Sequence, residues 1–484
     1  MHSEYYLSFF AYFCILLAIG LISHRKLTSA ADFIMGNRSL NFWLTALSAH
    51  ASDMSGWLFM GFPAAIFMAG FSQSWIAFGL IIGMLCNWHF VAAKLRTSTE
   101  KYDSYTLSTF FERRFGDTSG VTRILTALIS VFFLTCYLSA GLIAMGLLFE
   151  SVFGIDYYLG LSIASLVVVT YTFFGGFITV AWTDLFQALF LLLVIVIVPA
   201  VAYFHLPNGL QTITDTAATN QINLGFFADS TGTTWLSTLF LILSWGLGYF
   251  GQPHIITKFM GIRNVKDMNK SKYLGMTWQI IALTAAAAVG LIGIGFFQEA
   301  INPQLVFIDM VKILFTPLVA GFILCAVLAA NMSTMDSQIL VCASVLSEDF
   351  YKHMVNKQAA QKSLLIVSRL SVIVVSFVAL ALAFNKNSTV LEAVSYAWSG
   401  LGASFGPLVL MALYSKSTNK YGAIAGIVTG SLVSGCWGLV NPYITSLEIP
   451  CMVPGFGLSL LAIWSVSQLT RTEEAPILEK GTST

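Results

Sequence analysis

The residues able to do chemistry in this sequence stand inside apolar runs, where a charge or a row of hydroxyls needs a reason. Ala51-Ser52-Asp53-Met54-Ser55-Gly56-Trp57 puts a carboxylate, two hydroxyls and a glycine in the middle of one run, followed by Gly61 and Pro63. A charge at mid-membrane depth costs about 2.5–3.5 kcal/mol on insertion scales and is usually paired or beside a cavity. Unwound backbone is tolerated there only where it is buried in protein or lines a cavity. A second run, Trp245-Gly246-Leu247-Gly248-Tyr249-Phe250-Gly251-Gln252-Pro253-His254, spells GxGxxG. No strand precedes it and no ribose-binding acid follows, so it reads as a helix broken by three glycines and a proline rather than a nucleotide loop. A third, Ala329-Ala330-Asn331-Met332-Ser333-Thr334-Met335-Asp336-Ser337-Gln338, fans Ser333 and Thr334 about 100° apart, with Ser337 one turn after Ser333. Hydroxyl and carbonyl oxygens suit a hard cation such as sodium. Carbonyls freed around Ala51 and Met54 could complete such a shell; the plainer alternative is hydroxyls bonded to carbonyls one turn back.

Other candidates carry less. Asp184 follows Trp182 and Thr183 where a span is expected to begin, which suits a helix cap as well as a cation role. Glu392 lies near the end of a span and reads as solvated. Gly422, Gly426 and Gly430 form a small-xxx-small stripe for helix packing. The cysteines fall mostly within apolar runs without a CxxC pair, and the histidines form no metal motif.

These residues need membrane helices to position them. Of 484 residues 57% are apolar and only 10% charged, and the mean hydropathy is +0.79, against about 45–50% and 25% in an ordinary soluble domain. A soluble enzyme is excluded, and a net charge of +1 offers nothing to nucleic acid. Runs of about 18 or more apolar residues predict spans near 4–24, 41–70, 72–95, 122–153, 157–175, 183–205, 233–258, 274–298, 306–346, 362–385, 389–414, 421–441 and 447–470, thirteen in all. The first has His24, Arg25 and Lys26 directly after it and no cleavage site, which predicts an uncleaved anchor with its N-terminus outside. From that start, every basic residue but Lys312 and Lys386 falls on the cytoplasmic side, as the positive-inside rule requires. Residues 472–484 read as a polar cytoplasmic tail.

Two interrupted helices about 190 residues apart point to an inverted-repeat transporter with its site at the midplane. Residues 1–471 then form one polytopic domain: a peripheral first helix at 4–24, a first repeat over 41–182 with a sixth helix at 183–205, a second repeat over 233–414, and two peripheral helices over 421–470.

The run Ala51–Trp57, Tyr171-Thr172-Phe173-Phe174-Gly175-Gly176-Phe177, Trp182-Thr183-Asp184, Trp245–His254 and Ser395-Tyr396-Ala397-Trp398 strongly resemble the solute:sodium symporter family, over almost the whole chain. The likeness is greatest to members that carry proline. It implies an all-α membrane protein of thirteen transmembrane helices with a LeuT-like five-plus-five inverted repeat and broken second and seventh helices. It also implies uptake of L-proline driven by co-transported sodium, in a bacterial inner membrane, with no enzymatic step and no obligate protein partner. Carried over residue by residue, the sodium ligands are the carbonyls of Ala51, Met54 and Ala330 with the hydroxyls of Ser333 and Thr334. Asp53, Ser55 and Gly56 match positions linked to sodium and substrate, and Trp57, Tyr137, Trp245 and Tyr249 match the walls of the proline pocket. Arg38, in Gly36-Asn37-Arg38-Ser39-Leu40, matches a cytoplasmic arginine tied to coupling.

The resemblance also makes Asp336 stand out, since the family places a small hydroxyl residue there. With Asp53, Asp184 and Ser337 it is expected to act in coupling, Asp336 by binding a further cation or by titrating; the alternative is a hydrogen-bonded carboxylate near the cytoplasmic exit. A symporter for another small solute, one driven partly by protons, and a transporter-shaped sensor remain as other readings. A channel does not suit one occluded pocket.

Overall fold

A computed structural model describes residues 3–23, 30–174, 176–227, 232–297, 299–385, 389–445 and 447–471. The expected tail and the His24-Arg25-Lys26 cluster lie outside them. Among the described residues every long element is a helix, and eleven helices are long and apolar enough to cross a membrane. Two of the expected spans fall short of that length as continuous apolar helices, Gly56–Ala69 and Tyr157–Thr170. The first is short because the 41–70 run is interrupted in its middle.

That interruption has a local cause. Asn41 caps the helix Phe42–Asp53 by accepting from the Leu44 N–H at 2.9 Å. At Met54 the backbone leaves helical geometry (φ −88°, ψ 76°). Ser55 is extended, a short turn covers Gly56–Leu58, and the helix resumes over Gly61–Ala69. The Trp245–His254 run behaves alike: Gly232–Gly246 tightens into a 3₁₀ turn over Leu247–Gly251, and Pro253 starts a new helix, Pro253–Met260. Proline suits that first position because its missing N–H has no helical partner there.

Two expected boundaries move. The 183–205 span begins at Phe177 and runs to Phe204, so Asp184 lies two turns inside a helix rather than at its cap. The 306–346 run divides into Val306–Leu314 and Pro317–Ser344, because Phe315 and Thr316 are extended and Pro317 restarts the chain. The connection between the expected spans 183–205 and 233–258 carries a helix, Leu210–Thr219, packed on Met268–Phe296. Glu392 closes a capping box with Thr389 at the start of Val390–Tyr414.

The Pro317–Ser344 helix is the axis of the bundle, buried without a gap from Ile323 to Leu340. A helix buried on all sides belongs at such a centre, and the polar residues it carries must find partners on its neighbours. The broken helix Phe42–Asp53 packs on it, and so do Val121–Phe153, Phe177–Phe204 and Pro253–Met260. Lys420–Ile444 and Met452–Leu469 pair at the periphery, where a side chain on Gly422 or Gly426 would strike Ser467 or Ile463.

Candidate cation and solute site

The break in the first interrupted helix frees the carbonyl that meets the central helix. In an unbroken helix the Ala51 carbonyl would accept from the Ser55 N–H; here that N–H turns to the Asp53 carbonyl at 3.1 Å. The Ala51 carbonyl instead accepts from Ser333 Oγ at 2.8 Å and Thr334 Oγ1 at 3.3 Å. Both hydroxyls also donate to the Ala330 carbonyl, at 3.0 and 3.2 Å. Ala51, Ala330, Ser333 and Thr334 therefore converge in one buried cluster. Met54, also buried, sits at the end of the broken helix with its N–H on the His50 carbonyl. The donor set is neutral oxygen, which can strip and replace part of the water shell of a hard monovalent cation.

Beside this cluster the break turns Gly56 against the central helix, where its N–H donates to Asn331 Oδ1 at 3.1 Å. A Cβ on Gly56 would lie 2.6 Å from that oxygen and 2.9 Å from the Ala144 methyl, so no larger residue fits without displacing one of them. Asp53 points to the other broken helix: its Oδ2 accepts from the Tyr249 hydroxyl at 2.5 Å, and Gln279 Nε2 donates to the same hydroxyl at 2.9 Å. Trp57 and Trp245 face each other with ring centroids 5.5 Å apart, and Trp398 continues the stack 6.1 Å from Trp245. The Trp398 indole donates to the Trp245 carbonyl at 3.2 Å and meets Tyr249 edge-on. Gly248 is what admits it, since a Cβ there would fall 1.9 Å from Trp398 Nε1. Tyr137, on Val121–Phe153, is buried with its ring edge-on to His254 at 5.5 Å. Ser55 caps the turn that carries Trp57.

Of the residues expected in coupling, Asp184 and Ser337 belong to a second buried polar group, with Asp336 beside it. Asp184 Oδ2 accepts from Ser48 at 2.5 Å and from Lys258 Nζ at 3.1 Å, and lies 3.5 Å from Ser52 Oγ. Ser52 Oγ in turn is 2.8 Å from Ser337 Oγ. Asp336 is buried one residue away and accepts from Thr172 at 2.5 Å. Arg38 is not brought to this group: its guanidinium holds the carbonyls of Thr99, near the end of the helix Ala93–Lys101, and of Ser104 beyond it, at 3.0 and 3.1 Å. Burial, then the like charge of Arg96, presses its pKa below the usual arginine value.

Reading the sequence alone missed Lys258, Thr172, Asn331, Gln279 and Trp398 as members of these networks. Asn331 and Trp398 stood inside recognised motifs, and an amide or indole flanked by small apolar residues in a span is a signal in itself. Lys258 gave the opposite signal, because a lysine at a span's end reads as an orienting charge.

A sequence model described as "Sodium:solute symporter family" matches residues 33–430. The chain is 42% identical over 470 residues to the "High-affinity proline transporter PutP" of Bacillus subtilis, covering 96% of this chain and 98% of that one. It is 44% identical over 479 residues to a "Sodium/proline symporter" of Staphylococcus aureus, covering 96% and 93%. Among solved structures, a Na⁺-coupled sialic acid symporter in a substrate-bound outward-open state superposes with a TM-score of 0.80 at 19% identity, covering 97% of this chain and 98% of that one. MhsT in complex with L-phenylalanine gives 0.57 at 11% identity, covering 87% and 97%. At those identities the two structures share the all-helical membrane-transporter fold with this chain.

Proposed function

The chain belongs to the sodium:solute symporter family, and we propose that it couples inward sodium flow to uptake of L-proline. It is a multi-pass membrane transporter and performs no chemistry on its solute. The names of the relatives at 42–44% identity support the proline assignment. The observation that carries the cation assignment is the Ala51 carbonyl, released by the helix break and held within 3.3 Å of two hydroxyls from the central helix.

In this reading the carbonyls of Ala51, Met54 and Ala330 and the hydroxyls of Ser333 and Thr334 bind one sodium. The ion takes the place of the hydroxyl–carbonyl hydrogen bonds and draws the broken helix onto the central one. Gly56, Ser55 and Trp57 follow directly in sequence, so closing the cation site also sets the solute site. Proline is a compact zwitterion: backbone donors at the helix break receive its carboxylate, while Trp57, Trp245, Tyr137 and Tyr249 cover its ring and charged nitrogen. Asp53, through Tyr249, ties the two broken helices together. Positive coupling between the ligands follows, because each loses less free energy in ordering a site the other has already closed.

The remaining architecture belongs to the same proposal. With Gly56–Ala69 joined to Phe42–Asp53 and with the helix at 157–174 crossing, the chain makes thirteen crossings. Residues 41–205 and 233–414 form the two halves of a five-plus-five inverted repeat, with the first and last two helices peripheral. The N-terminus is outside, the C-terminus is cytoplasmic, and the membrane is a bacterial inner membrane. Arg38, Asp184, Asp336 and Ser337 couple cation binding to inward opening, with Asp336 able to take a further sodium or a proton.

Binding of labelled proline to purified protein tests the assignment. Sodium, and not potassium, is expected to promote binding, and unlabelled proline to displace the label better than larger amino acids. Equal binding in both salts would remove the cation assignment.

A further inference from the structure

Two cavities on the side of the bundle that the proposed topology turns toward the cytoplasm share one wall. The inner one, of about 20 Å³, has room for little more than a water and reaches Ser337 and Lys258 beside the cation cluster. The outer one, of about 280 Å³, is lined by charged side chains, Arg113, Arg123, Glu348 and Lys352 among them. Tyr105 and Thr106 line both. An ion or solute leaving by this route has to displace them.

That wall is held from two sides. The hydroxyls of Thr106 and Thr109 lie 3.1 and 3.0 Å from Asp349 Oδ1. Asp349 stands on Val345–Val355, the π-helical continuation of the central helix, and is fully buried. Arg123 Nε is 3.6 Å from the same oxygen, and Arg123 is itself fixed by Glu112 at 2.6 Å. On the other side Arg38 holds the Ser104 carbonyl at 3.1 Å and lies 5.8 Å from the centre of the Tyr105 ring. Arg38 keeps a left-handed backbone (φ 55°), which a non-glycine residue adopts only where its surroundings fix it. It stands just ahead of Asn41, the cap of the first broken helix. Both anchors therefore belong to the two helices that meet in the cation cluster. We propose that residues 104–106 form an inner gate and that Asp349 is the positioning residue that latches it, so that the gate is shut while sodium holds the broken helix on the central one and loosens when the ion leaves. Away from Asp349 the Thr106 hydroxyl still has Thr109 Oγ1, 2.9 Å away, so opening strands no donor there. Two arrangements with their hydrogen bonds made are what a gate needs in order to switch.

The gate rests on the sodium-symport reading, and its test separates the two. Ser344 lines the inner cavity, and its hydroxyl bonds back to the Leu340 carbonyl at 2.6 Å. S344C is made in a chain whose native cysteines are replaced by serine, and its alkylation by a membrane-impermeant maleimide is timed in inside-out vesicles with and without sodium. The same rates are taken in D349A, with folding read from monodisperse elution of the solubilised protein. With Asp349 intact, sodium is expected to slow alkylation about 10-fold or more, the shift that one hydrogen bond to a charged group can impose on an equilibrium. In D349A that protection is expected to be lost. D349N reads the same rates should D349A not fold, and is expected to keep only part of the protection. Full sodium protection in the folded variant, or no alkylation of S344C in either protein without sodium, overturns the proposal. Sodium that stimulates proline uptake yet leaves alkylation unchanged with Asp349 intact overturns it too. If sodium does neither, the symport reading fails instead.

Discussion

Removing the Ser333 hydroxyl is the sharpest perturbation of the cation cluster. Ser333 Oγ lies 2.8 and 3.0 Å from the Ala51 and Ala330 carbonyls, whereas Thr334 Oγ1 lies 3.3 and 3.2 Å away. In Ser333→Ala the Ala51 carbonyl keeps its bond from Thr334, so the helix junction survives without sodium. What is lost is one oxygen of the ion's shell. Hydrogen bonds to charged groups contribute about 1.5–3 kcal/mol, and a lost ion–oxygen contact of that size raises the sodium concentration for half-maximal uptake about 10- to 150-fold. Thr334→Ala is expected at the lower end, in line with its longer contacts. Because the ligands are coupled, apparent proline affinity at low sodium falls in both variants and recovers as sodium saturates. The assay is initial-rate proline uptake over a sodium series, with Ser371→Ala as control. Among the described residues its hydroxyl bonds only its own helix, at the Val367 carbonyl, 2.9 Å away. Unchanged sodium half-saturation in folded Ser333→Ala would refute the reasoning.

Three further outcomes follow from the geometry. Gly248→Ala puts a Cβ 1.9 Å from Trp398 Nε1; an overpacking cost of about 1–3 kcal/mol is expected to displace the indole and weaken proline binding, read by labelled-proline binding at saturating sodium. Tyr249→Phe strips Asp53 of its 2.5 Å donor and leaves a buried carboxylate short of a partner, so stability falls by about 1–3 kcal/mol, measured as thermal unfolding of the purified protein. Asp336→Ser keeps a hydrogen-bonding group for Thr172 but removes the carboxyl group; a changed pH dependence or sodium-to-proline ratio of uptake is expected, and identity with the wild type in both would return Asp336 to a structural role.

The helix breaks were legible because glycine, serine and proline weaken a helix, and a lipid-facing span has no use for them in its middle. Ser333 and Thr334 were legible on similar grounds, as hydroxyls needing partners in a dry helix. The position of Asp184 was misread: apolar length suggested a start near residue 183, while the helix begins at Phe177, just after the Gly175-Gly176 pair. Lys258 was assigned to the cytoplasmic side by a rule about loops, and only tertiary packing turns it inward onto Asp184. Trp398 and Asn331 could be seen as unusual span residues, but their partners, Trp245 and Gly56, are over 150 and 270 residues away in the chain. Spacing along a sequence carries no information about such pairs.

The central claim is that an inward sodium gradient drives proline accumulation. In proteoliposomes loaded with potassium, an imposed inward sodium gradient is expected to drive labelled proline above its external concentration, and a sodium ionophore to release it. Uptake that never exceeds equilibration, or that is the same with and without sodium, would contradict the account.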